Sequence, residues 1–290
     1  MDFFLSLLSS GLVIGATYSM IAMAYAIVYK ATKLVNFAMG ELMMLTAYVS
    51  LSLSTTLHLS FFTLFLVIVP VSCIIGLLLE RIFIRPMLGQ PIFSIVMVTL
   101  GLAVLLRSIV VMIYGPDEQL FNPGFSTKVI PFGPVAFYEA NLWTLGILAV
   151  LIILAWAFFR FSKQGIAMRA TADNETASLL MGVNISHIYA ISWCISSVIA
   201  ALAGIMIASM YSMSADLWFH GLKAFPALIL GGLDSVIGAG VGGLVVGIIE
   251  NFSEGYIGQG LKEISGFVVI IIVLMIRPYG LFGERDIERV

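Results

Sequence analysis

Two ionisable residues stand where an apolar chain should hold none. Glu41 opens onto an uncharged run from Leu42 to Leu79, and Arg107 lies fifteen residues into another run that begins at Ile92. A charge at the centre of a hydrocarbon layer costs about 3 kcal/mol on insertion scales. Each must therefore face protein or water and find a partner. Thr99, Ala103 and Arg107 recur every fourth residue, and Glu41, Leu45, Tyr48 and Ser52 recur at helical spacing, so each set shares one helix face. Both faces are expected to point into the protein. The two charges are opposite in sign, so each could neutralise the other. Alternatively, Arg107 snorkels to the headgroups, since Gly115-Pro116 is only two turns away. Glu250 is a third candidate charge of this kind.

Other chemistries lack their residues. No Gly-Lys dipeptide occurs, so no Walker A loop can cradle a nucleotide phosphate. There is no His-Glu-x-x-His, and His58, His187 and His220 are too scattered to form a metal cluster. No nucleophile has a base at a plausible spacing. The chain is expected to be no enzyme by itself and to hold no metal. A net charge of −2 and no basic face argue against nucleic acid. Cys73 and Cys194 both lie inside apolar runs, which predicts buried small hydrophobes and neither a disulfide nor a metal pair.

The elements that must position these residues are membrane spans. Hydrophobic residues make up 61% of the chain and charged residues 10%. No Asp, Glu, Lys or Arg occurs between Asp2 and Lys30. A helix needs about 20 apolar residues to cross the hydrocarbon core, and continuous runs of this length fit helices where a β-barrel would show short alternating segments. The expected fold is an all-α polytopic bundle in contact with lipid. Spans are placed near 4–29, 36–56, 60–83, 92–114, 141–160, 186–211 and 262–277, with the stretch 222–252 unresolved between two crossings and none. The first span lacks the basic leader of a signal peptide and is read as uncleaved.

Loop charges set the expected orientation. Alternate loops hold Lys30, Lys33, Arg81, Arg85, Arg160, Lys163, Arg169, Arg277, Arg285 and Arg289, whereas the others hold almost none, Lys128 and Lys223 among them. The basic set is expected in the cytoplasm, with the N-terminus outside and the C-terminus inside. That parity requires an odd number of crossings. It favours two in 222–252, one near 217–231 and one near 235–252, within a total of about eight to nine. The turn-rich segment 115–140 becomes an external loop, and no linker divides the chain, so residues 1–290 form a single transmembrane domain.

Glycines crowd 222–252. Gly238 and Gly242 are four apart, as are Gly243 and Gly247, which suits close helix packing. Gly231-Gly232 after Pro226 predicts a broken helix, and Gly231, Gly232, Gly238 and Gly242 are taken together as its glycines. Packing alone is the competing use for them.

The cytoplasmic loop 162–184 carries its own signals. Thr171, Asp173 or Asn174 can cap a helix, Glu175 favours its first turn, and Gly182 and Asn184 can end it. A two-turn helix is predicted, with Ala177, Leu180 and Met181 on one side. So short a helix is marginal in water. It must dock, either on its own membrane domain or on a partner protein.

Five segments, in order, carry a resemblance. They are Asn36-Phe-Ala-Met-Gly-Glu-Leu-Met-Met-Leu-Thr-Ala-Tyr48, Glu80-Arg-Ile-Phe-Ile-Arg-Pro86, Gly165-Ile-Ala-Met-Arg-Ala-Thr-Ala-Asp-Asn174, Gly221-Leu-Lys-Ala-Phe225 with Leu230-Gly-Gly232, and Arg277-Pro-Tyr-Gly-Leu-Phe-Gly283. Over nearly its whole length the chain resembles the permease subunits of bacterial ABC importers for branched-chain amino acids. The resemblance implies inward transport of branched-chain or other neutral amino acids across the bacterial inner membrane. Permeases for urea, short amides and sugars share much of the plan, so a urea or amide permease is the alternative, and an ion-coupled carrier or a structural scaffold lies further off. The implied partners are two ATP-binding subunits, which would hold ATP and Mg, an external substrate-binding protein, and a second permease, either a sister chain or another copy.

The resemblance also implies that loop 162–184 contacts the ATPase. Many importer permeases show Glu-Ala-Ala, three residues, then Gly in this helix. Here Thr176-Ala-Ser178, Leu-Leu-Met and Gly182 match it at Ala177 and Gly182, and Arg169 to Asn174 fits the branched-chain subgroup. Coupling is therefore assigned to Arg169, Ala170, Asp173, Asn174, Glu175, Ala177 and Gly182. The translocation pathway is assigned to Asn36, Gly40, Glu41, Thr99 and Arg107.

Overall fold

Side-chain size sorts the helices into an inner and an outer layer. In the computed structural model, which describes residues 2–125, 129–132, 135–258 and 260–283, α1 (Asp2–Thr32) and α8 (Ile185–Met210) are buried along 89% and 78% of their most apolar stretches. The corresponding values for α3 (Phe61–Leu79), α4 (Ile92–Tyr114) and α5 (Glu139–Phe161) are 22%, 33% and 22%. The inner helices are rich in Gly, Ala and Ser, which let neighbouring backbones approach from all sides. The outer ones turn large apolar side chains outward, among them Leu66, Ile74, Val104, Met112, Ile153 and Leu154.

The remaining elements are α2 (Met39–Leu57), α6 (Lys163–Asp173), α7 (Glu175–Leu180), α9 (Trp218–Lys223), α10 (Phe225–Gly231), α11 (Val236–Tyr256) and α12 (Leu261–Ile276). A two-stranded hairpin, β1 (Val129–Phe132) and β2 (Val135–Tyr138), lies in the turn-rich loop after α4, with Ile130 opposite Phe137. The fold is thus a polytopic helical bundle carrying one small hairpin. Among the described residues, six helices are long and apolar enough to cross a membrane: α1, α3 with its continuation to Met87, α4, α5, α8 and α11. Eight to nine spans were expected. The difference lies in α2, whose run carries Glu41 and several hydroxyls, in α12, which at 16 residues spans about 24 Å, and in the α9–α10 pair, whose two pieces are each short.

Helices α1 and α11 run antiparallel in close contact. Gly11, Gly15 and Ser19 on α1 meet Gly243 and Gly247 on α11, so that a Cβ added to any of these glycines would strike the opposing backbone or the Ser19 side chain. Ser19 Oγ donates to the Gly240 carbonyl (2.5 Å), and Asn251 Nδ2 donates to the Leu7 carbonyl (2.6 Å). Gly238 and Gly242, spaced for close packing and grouped with the broken-helix glycines, lie inside the uninterrupted α11 and pack against Gly231 and Ala227 of α10. The interruption falls at Ala224, between α9 and α10, and at Gly232, whose φ of 104° ends α10. Pro226 occupies the first turn of α10, where its missing N–H is not needed.

Cys73 and Cys194 are joined in a disulfide between α3 and α8, with Cα atoms 4.4 Å apart. The expectation of two unpaired thiols is overturned. Helical spacing places Cys73 and Gly76 on one face of α3, and Cys194 and Ser197 on one face of α8. Gly76 lies against the Trp193 carbonyl and Ser197, and its missing side chain lets the helices come this close. Apolar runs reveal burial but not which faces meet. If a protease site is introduced near Asp117, on the connection between the two cysteines, the two fragments should stay joined on a denaturing gel without reductant and separate with it. Separation without reductant would disprove the link.

Candidate functional site

The start of α2 builds the site. After Lys33 (φ 54°) the chain leaves helix for residues 34–38, and Asn36 Oδ1 accepts from the Ala38 N–H (3.0 Å), turning the chain into α2. Glu41 then falls in the first turn of α2, where the helix dipole favours a carboxylate. Its side chain is 4% exposed. Gly40, one residue earlier, touches the backbone of Gly221 and the Trp218 carbonyl, so that two glycines form the crossing of α2 and α9. A side chain at either position would meet backbone that cannot yield.

Arg107 reaches this turn from α4. Its Nη2 donates to Glu41 Oε1 (2.5 Å), and its guanidinium lies over the Trp218 ring, 3.6 Å from the centroid. The arginine therefore turns inward, and snorkelling to the headgroups does not occur. The reason is local: a buried carboxylate and an aromatic face lie within reach, and pairing offsets the desolvation of both charges. Arg107 Nε is buried without a hydrogen-bond partner among the described residues, yet the side chain as a whole is 37% exposed. Part of the guanidinium thus opens onto space this chain does not fill.

Not every residue assigned to the pathway joins the pair. Thr99 is buried on the same face of α4, two turns or about 12 Å from Arg107, and its hydroxyl donates to the Val96 carbonyl. Asn36 is buried, with Nδ2 unpartnered among the described residues. Trp218 and Gly221 were missed in the sequence. Nothing in the spacing of 212–223 links them to α2 or α4, because the link is made only when α9 crosses the start of α2.

Glu250 lies apart, in α11. It is buried beside Tyr18 and Gly266, and its Oε2 lacks a hydrogen-bond partner among the described residues. Ion pairs tie the neighbouring helices: Lys223 to Glu263 (2.9 Å) joins α9 to α12, and Lys262 to Glu254 (2.9 Å) joins α11 to α12. At the Lys/Arg-rich end, Arg85 donates twice to the buried Glu80 (3.1 and 2.9 Å).

At that same end, loop 162–184 forms two helices where one was expected. In α6, Ser162 caps the start, Met168 is fully buried, and Gly165 lies against the backbone of Phe158 and Phe159, so α6 is held against α1 and α5. Asn174 then separates it from α7, and its Oδ1 accepts from the Ala177 N–H (2.8 Å). Glu175 follows in the first turn, and Gly182 (φ 84°) reverses the chain. Arg169, Ala170, Asp173, Glu175 and Ala177 are all exposed. Leu179, Leu180 and Met181 are 54%, 85% and 85% exposed, an apolar tip beyond the bundle.

Apolar outer helices, an ion pair with a buried carboxylate at a helix crossing, and a short helix projecting from the basic end together describe a polytopic membrane helical bundle. The chain belongs to the family described as branched-chain amino acid transport system, permease component, whose model matches residues 7–276. It is 28% identical to the high-affinity branched-chain amino acid transport system permease protein LivH of Escherichia coli, over 99% of this chain and 98% of that one. It is likewise 28% identical to the corresponding permease BraD of Pseudomonas aeruginosa, over 99% and 98%. Among solved structures it is similar to PsaBC from Streptococcus pneumoniae in complex with Fab (TM-score 0.51, 15% identity, 96% of this chain and 93% of that one), a likeness of fold.

Proposed function

We propose that this chain is the membrane-spanning subunit of an ATP-driven importer that moves branched-chain or other neutral amino acids into the cytoplasm. The observation that carries this is the family match across almost the whole chain. Two ATPase subunits, holding ATP and Mg, would dock at the end bearing α6 and α7. The exposed tip Leu179–Met181 and residues Arg169, Ala170, Asp173, Asn174, Glu175, Ala177 and Gly182 supply the contact. A second permease subunit covers the open side of Arg107, since a partly exposed guanidinium within a span is unfavourable against lipid chains. An external binding protein delivers substrate to the opposite end. Closure of the ATPases on ATP switches access, provided ATP binds the closed state more tightly.

Nine crossings complete the proposal: α1 to α5, α8, the α9–α10 pair, α11 and α12. The pair runs from Met213, whose backbone pairs with Gln119 near the hairpin end, to Asp234, whose carbonyl accepts from Lys30 Nζ (2.6 Å) at the basic end. The basic end faces the cytoplasm, with the N-terminus outside. Arg285 and Arg289, part of the charge count for the inside C-terminus, lie outside the described residues.

Topology and function are separately testable. With Cys73 and Cys194 replaced, single cysteines at Phe125 and Asp216 should react with an impermeant thiol reagent applied outside intact cells, while cysteines at Lys33 and Gln164 should not. The inverse pattern would turn the molecule over and remove the ATPase contact from α7. For function, co-expression with the candidate ATPases should give a co-purifying complex that takes up leucine into proteoliposomes only with ATP. Uptake without ATP would favour a self-sufficient carrier.

A further inference from the structure

We propose that Glu41 and Arg107 form a transit site for the two charges of a zwitterionic amino acid, with the substrate carboxylate going to Arg107 and its ammonium to Glu41. The proposal rests on the importer reading and deepens it by assigning the substrate's contacts within the membrane.

Charge balance comes first. A free amino acid leaving water must desolvate one anion and one cation at once. A site of a single charge would satisfy one and repel the other. The Glu41–Arg107 pair offers both signs in one place at zero net charge, with the carboxylate buried where α2 meets α4 and α9 and the arginine partly exposed. Insertion of a zwitterion gives an alternating cluster of four charges that is still neutral overall, so it adds no net charge to a low-dielectric region.

The donors and the open space come second. A guanidinium has five N–H donors, and a carboxylate takes two of them along one edge. A single hydrogen bond, through Nη2, joins Arg107 to Glu41 and leaves the remaining Nη hydrogens uncommitted. The arginine therefore has donors to spare. Trp218 holds the guanidinium plane from one side, and the exposed part of the side chain faces space the chain leaves unfilled. Leu45, one turn from Glu41 on the same face of α2 and only partly buried, gives an apolar neighbour for a branched side chain.

The double variant Glu41→Gln/Arg107→Gln tests this in the assembled importer. Two amides can hydrogen-bond to each other, so the helices stay joined while both charges are gone. The complex should still assemble, with a thermal midpoint lowered by only a few degrees, yet ATP-driven uptake of radiolabelled leucine should fall about 10- to 100-fold, the value of losing a charge-assisted contact. The fall should appear in the maximal rate, because half-saturation is set by the external binding protein. Uptake within twofold of the unmodified complex would overturn the site and leave the importer reading standing. Absence of ATP-driven uptake by the unmodified complex would overturn both. Should the double variant not assemble, Arg107→Lys carries the same test. It keeps the ion pair but loses the planar fork and its stacking on Trp218, and its uptake should fall about tenfold or more; unchanged uptake would overturn the site.

Discussion

Gly182→Pro is expected to abolish stimulation of ATP hydrolysis by the loaded binding protein while leaving membrane insertion intact. Gly182 has a φ of 84°, and its N–H donates to the Leu179 carbonyl (3.0 Å). Proline requires a φ near −65° and has no N–H, so it must redirect the chain at the end of α7. The damage stays local, because Gly182 is exposed and a Cβ there would meet nothing. The six-residue α7 packs mainly on α6 and has little else to hold its orientation. Its apolar tip, Leu179 to Met181, would turn away from any groove it fills. Arg169→Glu is a second, independent probe. Arg169 is exposed on α6 near Lys30, Lys33 and Asp173, so reversal should change stability by less than about 0.5 kcal/mol while altering the charge shown to a partner. Stimulated hydrolysis by the reconstituted complex is the measurement. Normal stimulation in both variants would remove the coupling role from this loop.

The second large effect concerns stability. Arg107→Gln should destabilise the protein more than Glu41→Gln, and the double change less than the sum of the two. Removing Arg107 leaves a carboxylate that is only 4% exposed without its partner. Removing Glu41 leaves an arginine that is a third exposed and still stacked on Trp218. Breaking a fully buried pair from one side costs about 3–5 kcal/mol. Here the partial exposure of Arg107 brings the expected loss to about 2–3 kcal/mol for Arg107→Gln and nearer 1 kcal/mol for Glu41→Gln. The coupling between them should be about 1–2 kcal/mol. A double-mutant cycle on thermal unfolding in detergent reads all three. Strict additivity would show that the pair does not act as a unit.

The sequence by itself determined the membrane class, the position of most spans and the short helix α7 of the cytoplasmic loop, because these depend on local properties. An uncharged run of twenty residues has no other stable place than lipid or a helical core. Asn174, Glu175 and Gly182 act on the backbone within a few residues of themselves, so the start and end of α7 could be read directly from them. The need of Glu41 and Arg107 for protein partners was likewise legible, since the cost of an isolated charge in hydrocarbon does not depend on the fold.

What only the tertiary structure decided is which faces meet. Glu41 and Arg107 are 66 residues apart, Cys73 and Cys194 are 121 apart, and Ser19 and Gly240 are 221 apart. In an apolar run, a face turned to lipid and a face turned to another helix can carry the same residues, so hydrophobicity does not choose between them. This is why two cysteines expected to be lone thiols are bonded, and why the glycine spacing of Gly238 and Gly242 suggested close packing without naming α10 as the partner. It is also why Trp218 gave no sign of its role. Its ring comes under Arg107 only because Gly221 and Gly40 let α9 cross the start of α2 at backbone contact.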